Sequence, residues 1–199
     1  MGALVLAAGS GRRFGGAKLL APFRGKPLLT HVLEAAGRAE SAGLVATSRV
    51  VVAGSDDTAA ALAESTGHPP VRNPEPERGL SSSLRLGLDA LPGGIDAVLV
   101  LLGDQPLVRL EVLEALVTAW RAGAGVLIRP RYADASAEPG HPVLADRSVW
   151  PLAERLQGEA GFGAALPVGA PGVTLIDVTG GNPDVDTPAD LHSLEGSAP

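Results

Sequence analysis

Residues 4–20 read LVLAAGSGRRFGGAKLL, and they gather the residue types that hold a polyphosphate. An apolar run, Leu4-Val5-Leu6, leads into a small-residue turn, Ala7-Ala8-Gly9-Ser10-Gly11, and then into Arg12, Arg13 and Lys18. Gly9 and Gly11 allow φ > 0 and keep side chains away from the backbone N–H groups, which suits close approach of phosphate oxygens. Arg13 offers a planar fork for two oxygens and Lys18 a point charge. The chain has only two lysines, Lys18 and Lys26, and otherwise chooses arginine. The turn is not a Walker A loop, because no Gly-Lys-Ser/Thr follows at the required spacing. It is not a dinucleotide fingerprint either, because Phe14 stands where the last glycine would fall. Without a ligand the same residues make an ordinary strand-ending turn.

Other candidates for chemistry come later in the chain. Asp104 follows Val98-Leu99-Val100-Leu101-Leu102-Gly103, at the tip of a strand pattern. A carboxylate there suits Mg²⁺, which takes one or two carboxylates together with phosphates and water. It equally suits a tight turn closed by Pro106. In Asp184-Val185-Asp186 the two carboxylates share one side of an extended segment while Val185 points the other way. Asp186 or Thr187 also reads as the cap of a helix that starts at Pro188, with Asp190 as its first-turn acid. Ser81, Ser82 and Ser83 open a helical pattern after Gly79, and Gly87 within it suits close packing. His141 stands beside Pro142 with no His or Cys at metal-ligand spacing.

The elements that must position these residues alternate. Strand patterns at 4–6, 50–52, 70–72, 95–102, 125–128 and 173–178 are separated by helical patterns at 27–38, 56–65, 79–88, 110–120 and 188–194. The run IDAVLVLL at 95–102 is nearly all apolar, as a central strand buried on both faces requires. Such alternation implies one α/β domain over 1–199, a mainly parallel sheet with helices on both faces. Chemistry then belongs beyond the carboxyl ends of the strands, where Lys18, Asn73, Asp104, His141 and Asp186 all fall. The polar stretch 131–140 reads as a mobile loop. A net charge of −6 argues against a general nucleic-acid surface. The absence of cysteine removes disulfides, thiolate metal sites and a Cys nucleophile. With no signal-peptide pattern and no apolar run of membrane-spanning length, the chain reads as cytoplasmic.

The small-residue loop, Arg13-Phe14-Gly15, Lys18, the GDQP turn at 103–106 and the closing Asp184-Val185-Asp186-Thr187-Pro188 occur in order over residues 3–192. In this the chain resembles the MobA/MocA-like NTP transferase family, and within it the molybdenum cofactor cytidylyltransferase group. The resemblance implies a Rossmann-like three-layer α/β/α sandwich of the nucleotide-diphospho-sugar transferase type. It implies a nucleotide site of Leu6, Ala7, Ala8, Gly9, Ser10, Gly11, Arg13, Lys18, Asn73, Ser81, Ser83 and Asp104. Arg13, Lys18 and Asp104 would be catalytic, and Gln105 and His141 would meet the acceptor. Mg²⁺ would lie on Asp104 and Asp186, with Asp184 as the alternative second ligand.

The implied reaction moves CMP from CTP to the phosphate of a molybdopterin-type acceptor and releases pyrophosphate. Leu6-Ala7-Ala8-Gly9 and Ala17 stand where guanine-using relatives carry Leu-Ala-Gly-Gly and Asp, and both departures favour CTP over GTP. The expected partners are CTP or another NTP, the acceptor and a client molybdoenzyme, with neither nucleic acid nor membrane. Other departures are Pro76, where relatives carry an aromatic, and the segment Gly158-Glu159-Ala160-Gly161-Phe162-Gly163, which lacks the Asp and Arg of the family's Gly-Asp-x-Gly-Ala-Arg. Three alternatives belong with this reading: a nucleotidyltransferase using GTP or another phosphorylated or carboxylate acceptor, an NAD(P)H-dependent oxidoreductase, and a non-catalytic carrier of the cofactor.

Overall fold

The computed structural model describes residues 1–9, 11–134 and 139–196. Its frame is a seven-stranded sheet in the order β5-β4-β1-β6-β8-β7-β9. The strands are β1 (Gly2–Ala7), β4 (Thr47–Ala53), β5 (Pro70–Asn73), β6 (Ala97–Leu102), β7 (Leu127–Tyr132), β8 (Val143–Asp146) and β9 (Val173–Val178). A two-stranded hairpin, β2 (Pro22–Phe23) and β3 (Lys26–Pro27), stands apart from it. The helices are α1 (Leu28–Ser41), α2 (Asp57–Ser65), α3 (Leu80–Asp89), α4 (Leu110–Arg121), α5 (Phe162–Ala165) and α6 (Pro188–Gly196).

The period-two alternation of the strands divides the core. From β1, Ala3, Val5 and Ala7 pack with α1, α2 and α4, while Leu4 and Leu6 pack with α3 and with a 3₁₀ segment at Arg147–Arg155. Residues Ala97 to Leu101 of β6 are buried on alternate faces in the same way. That double burial is why the run reads as continuously apolar. Neither face could be left to water, so helices cover both. Gly87 in α3 sits where a Cβ would meet Leu4 and Val51 side chains at 3.0 Å, so the helix lies close on the sheet there.

Three expectations change. The sheet contains one antiparallel strand, β8, which pairs with β6 and β7; its short span beside Gly140-His141-Pro142 reads as a turn in sequence. Strand β7 runs to Tyr132 rather than ending at Ile128, because it pairs with β9 through Arg131↔Asp177 and Tyr132↔Val178. Arg131 and Tyr132 therefore belong to the sheet and not to the expected loop, of which residues 135–138 lie outside the described residues. The last strand before the GDQP turn begins at Ala97 rather than Ile95.

The start of α3 depends on one backbone approach. Gly79 has φ +83, and a Cβ there would lie 2.5 Å from the carbonyl carbon of Gly158. Ser81 N–H donates to Gly158 O at 3.0 Å, which ties the helix start to that loop. Gly79→Ala is expected to lower unfolding free energy by roughly 2 kcal/mol or more, since a left-handed residue and a backbone clash are imposed together. Gly93 has open space around it and an ordinary φ, so Gly93→Ala should change stability by less than about 0.5 kcal/mol. Urea unfolding of the two variants checks this.

Candidate active site

The chemically rich residues collect at the carboxyl ends of β1, β5 and β6. The centre is Lys18, whose ammonium is buried and donates to Asp104 Oδ2 at 2.7 Å and to Asp186 Oδ1 at 3.3 Å. Arg13 Nη1 lies 2.8 Å from the other oxygen of Asp186, on a side chain that is 77% exposed. Two carboxylates from distant sequence are thus brought around one cation.

Their convergence has a local cause. Val185 is fully buried against Phe23 and Leu28, and its N–H donates to Asp104 O at 3.0 Å. With Val185 turned into the core, Asp186 meets Lys18 and Asp184 meets the Gln105 amide. The segment then stops in a reciprocal cap. Thr187 Oγ1 accepts from Asp190 N–H at 3.2 Å, and the Asp190 carboxylate accepts from the N–H groups of Asp186 and Thr187. The Thr187 side chain first, and then the N–H groups of Thr187 and Asp186, hold the Asp190 carboxyl below its ordinary range. Asp190 is more than a first-turn acid, and it leaves Asp186 free of the capping role.

A cavity of about 570 Å³ opens beside Lys18. Of the sequence-predicted residues, Leu6, Ala7, Ala8, Gly9, Lys18, Ser83, Asp104 and His141 line it. Gly11 adopts φ +56 and a Cβ on it would meet Gly16 O at 2.5 Å, so it shapes the loop from behind; Gly9 does not use a positive φ. Ser10 lies outside the described residues. Arg12 lines the cavity, whereas Arg13 reaches it through Asp186. Residue type alone does not separate the two adjacent arginines; one residue of register in a short 3₁₀ turn gives them different directions.

Two predicted contact residues are placed as supports. Asn73 is buried; its amide donates to Ser82 Oγ and Ser83 Oγ at 2.9 Å, and its carbonyl accepts from Glu75 N–H. It fixes the serine turn that Gly79 opens. Within that turn Ser82 bonds back to Gly79 O, Ser83 faces the cavity, and the buried Ser81 hydroxyl has no partner. Gln105 is likewise buried, with its amide donating to Asp184 at 2.5 Å and its oxygen accepting from Asn182. Asn182 also donates to His141 O, which accepts from Tyr132 Oη as well. His141 is held by its own backbone, so its ring is aimed by β7 and by the closing segment. No sequence signal marks Asn182, because an isolated Asn after two glycines is also an ordinary turn residue.

The charge pattern is set by surroundings. Burial, and then the nearby Arg129, lower the His141 pKa to about 4, so the ring is neutral at pH 7. Asp184 lines the cavity and is pushed above the ordinary carboxylate range. Protein packed around it removes part of its hydration although it still opens to solvent, and the like charges of Asp104 and Asp186 add to this against the donation from Gln105.

For a metal, Asp104 and Asp186 supply hard oxygen donors gathered around the Lys18 ammonium, and such donors suit a divalent cation of the Mg²⁺ or Mn²⁺ class. No group of three or more His, Cys, Asp or Glu among the described residues forms a closed cage. A cation there would complete its shell from phosphates and water, so the donor set fits an open site.

A family model described as MobA-like NTP transferase domain matches residues 3–168. The probable molybdenum cofactor guanylyltransferase of Pyrococcus horikoshii is 31% identical over 167 residues, covering 82% of this chain and 80% of the relative. The 2-C-methyl-D-erythritol 4-phosphate cytidylyltransferase of Streptomyces avermitilis is 36% identical over 157 residues, which cover 70% of this chain; the chain spans 60% of that relative's length. Among solved structures, Rv0371c of Mycobacterium tuberculosis in complex with manganese superposes with TM-score 0.81 at 28% identity, covering 99% of this chain and 98% of that one.

His141 gives a pH signature. In the unfolded chain it takes up a proton near its ordinary value of 6.5, and in the fold only near 4. Stability is therefore unaffected by this group above pH 6.5 and falls as pH drops across that window. Melting temperatures of His141→Gln should fall less than wild type between pH 7 and pH 4.5. Parallel curves would show that burial of the ring does not control its titration.

Proposed function

The chain belongs to the MobA-like NTP transferase domain family, and we propose that it transfers CMP from CTP to the phosphate of a molybdopterin-type acceptor in a Mg²⁺-dependent reaction. The observation that carries this reading is Lys18 buried between Asp104 and Asp186, beside a cleft walled by the backbone of 6–9. Asp104 and Asp186 would hold the divalent cation, which supplies positive charge against the triphosphate. That Rv0371c of Mycobacterium tuberculosis forms a complex with manganese supports the use of a divalent ion.

The residues of this chain do the rest by position and charge. Backbone amides of the 7–9 turn and the cations Arg12, Arg13 and Lys18 neutralise the phosphates. An oxygen of the acceptor's phosphate attacks the α-phosphorus in line. A new P–O–P bond forms, the bond from the α-phosphorus to its bridging oxygen breaks, and pyrophosphate leaves with that electron pair. A phosphate monoester is already anionic near pH 7, so no protein nucleophile or strong base is needed. The catalytic demand is orientation and stabilisation of developing charge. His141, neutral at pH 7, faces the cleft as a hydrogen-bonding group for the acceptor.

Ala8 supports CTP over GTP. It lines the cleft with almost no exposed surface, and its methyl group narrows the approach of a purine to that backbone. The Pyrococcus horikoshii relative, named for guanylyl transfer, makes GTP the competing reading.

Pyrophosphate release with molybdopterin and Mg²⁺ is expected with CTP in preference to GTP, ATP or UTP. Asp104→Asn should lower kcat about a hundredfold or more, the scale for losing a group that stabilises developing charge. Turnover with GTP alone would replace the CTP reading, and a melting-temperature rise with NADPH but no nucleoside triphosphate would overturn transfer altogether. Ala8→Gly should raise kcat/KM for GTP relative to CTP; an unchanged ratio would show that the Ala8 methyl does not discriminate bases.

A further inference from the structure

A second cavity, of about 230 Å³, adjoins the nucleotide cleft and shares Leu6, Leu80, His141 and Glu159 with it. Its remaining lining is largely apolar, with Val100 of β6, Val143 of β8, Leu84 of α3 and Phe162 of α5. One cation lies in this wall, Arg129 of β7.

Arg129 is not satisfied from within. It is half-buried, and burial alone lowers its pKa from the ordinary guanidinium value. Its Nη2 donates to the Pro139 carbonyl, and its Nε–H is buried with no acceptor. No carboxylate forms an ion pair with it among the described residues. A guanidinium taken out of water without an anion is costly, and structural arginines are ordinarily paired.

The opposite wall has been cleared for it. A Cβ on Gly163 would lie 2.5 Å from Arg129 Nη1 and 3.0 Å from its central carbon. Gly163 sits inside α5 with no positive φ, so the backbone does not require glycine there. Glycine inside a helix is destabilising relative to alanine, so its presence there calls for a reason. The close approach of the guanidinium is what accounts for it.

We infer that Arg129, in the space left by Gly163, forms the acceptor subsite: it grips an anionic group of the acceptor, a phosphate or a carboxylate, while the acceptor's apolar body rests on Val100, Val143 and Phe162. Bidentate contact with either oxyanion suits a guanidinium, and the neutral ring of His141 beside it adds a hydrogen-bonding group without competing charge. The subsite rests on the proposed function only in taking an anionic acceptor beside the nucleotide. It does not depend on the base being cytosine.

The test is calorimetric titration of the full chain, in the presence of Mg²⁺ and CTP, with phenyl phosphate, benzoate and the neutral analogue benzamide. Wild type should bind phenyl phosphate or benzoate and not benzamide, and the tighter of the two identifies the anion as phosphate or carboxylate. Arg129→Gln should weaken that binding at least about tenfold, the scale of a hydrogen bond to a charged group. Gly163→Ala keeps the cation but displaces it, and should weaken binding similarly, which guards against a folding defect in the first variant. CTP affinity, read by the same titration, should stay within twofold in both. Equal affinity of the anions for wild type and both variants, equal binding of benzamide, or no anion binding to wild type would overturn the subsite. Absence of pyrophosphate release from CTP with molybdopterin, while anion binding still depends on Arg129, would instead overturn the proposed function and leave the subsite standing.

Discussion

Like charges do not gather unless something holds them, and here Asp104, Asp184 and Asp186 gather around a single buried ammonium. Lys18 donates to Asp104 and Asp186 at once, and the exposed Arg13 closes on the outer oxygen of Asp186. The apolar clip of Val185 against Phe23 and Leu28 supplies the force that electrostatics alone would not. The N–H of Val185 on the carbonyl of Asp104 sets the register. Everything else at the site is arranged around that clamp: the small-residue loop on one side, the serine turn on another, and the His141 turn at the far wall.

The supporting shell is polar and almost wholly internal. Asn73 locks the serine turn, Gln105 links the Asp104 turn to Asp184 and Asn182, and Asn182 reaches on to the backbone of His141. Buried amides are expensive to leave unpaired, so the donors of Asn73, Gln105 and Asn182, each of which finds an acceptor, leave the network few alternative geometries. That rigidity is what a reaction run by orientation and charge needs. Arg129 differs from these amides in carrying a charge: it is half-buried, and its Nε–H has no acceptor.

Much of this was legible from residue order. Period-two strands and period-3.6 helices marked β1, β4, β6, β9 and the long helices, because each must present an apolar face to a shared core. The loop from Leu6 to Lys18 and the carboxylates Asp104 and Asp186 could be singled out because their residue types do unusual chemistry at strand ends. Strand β8 could not be read in the same way. It is four residues long and depends on pairing with β6 and β7 rather than on its own pattern. The hydrogen bonds by which Asn73 and Gln105 support their neighbours are likewise not legible in sequence, since a polar residue beside a motif looks alike whether it touches substrate or holds a neighbour.

Residue order is enough to say which residues carry charge and flexibility, and which alternation places them beyond the strand ends. Local patterns of polarity and conformational freedom are written along the chain and act over a few residues. That Lys18, Asp104 and Asp186 meet, that Arg12 rather than Arg13 lines the cleft, and that Gly163 makes room for Arg129 follow from the folded arrangement. Those outcomes are set by distances between segments remote in sequence. Such distances are fixed by how the two faces of the sheet pack, and no local pattern encodes them.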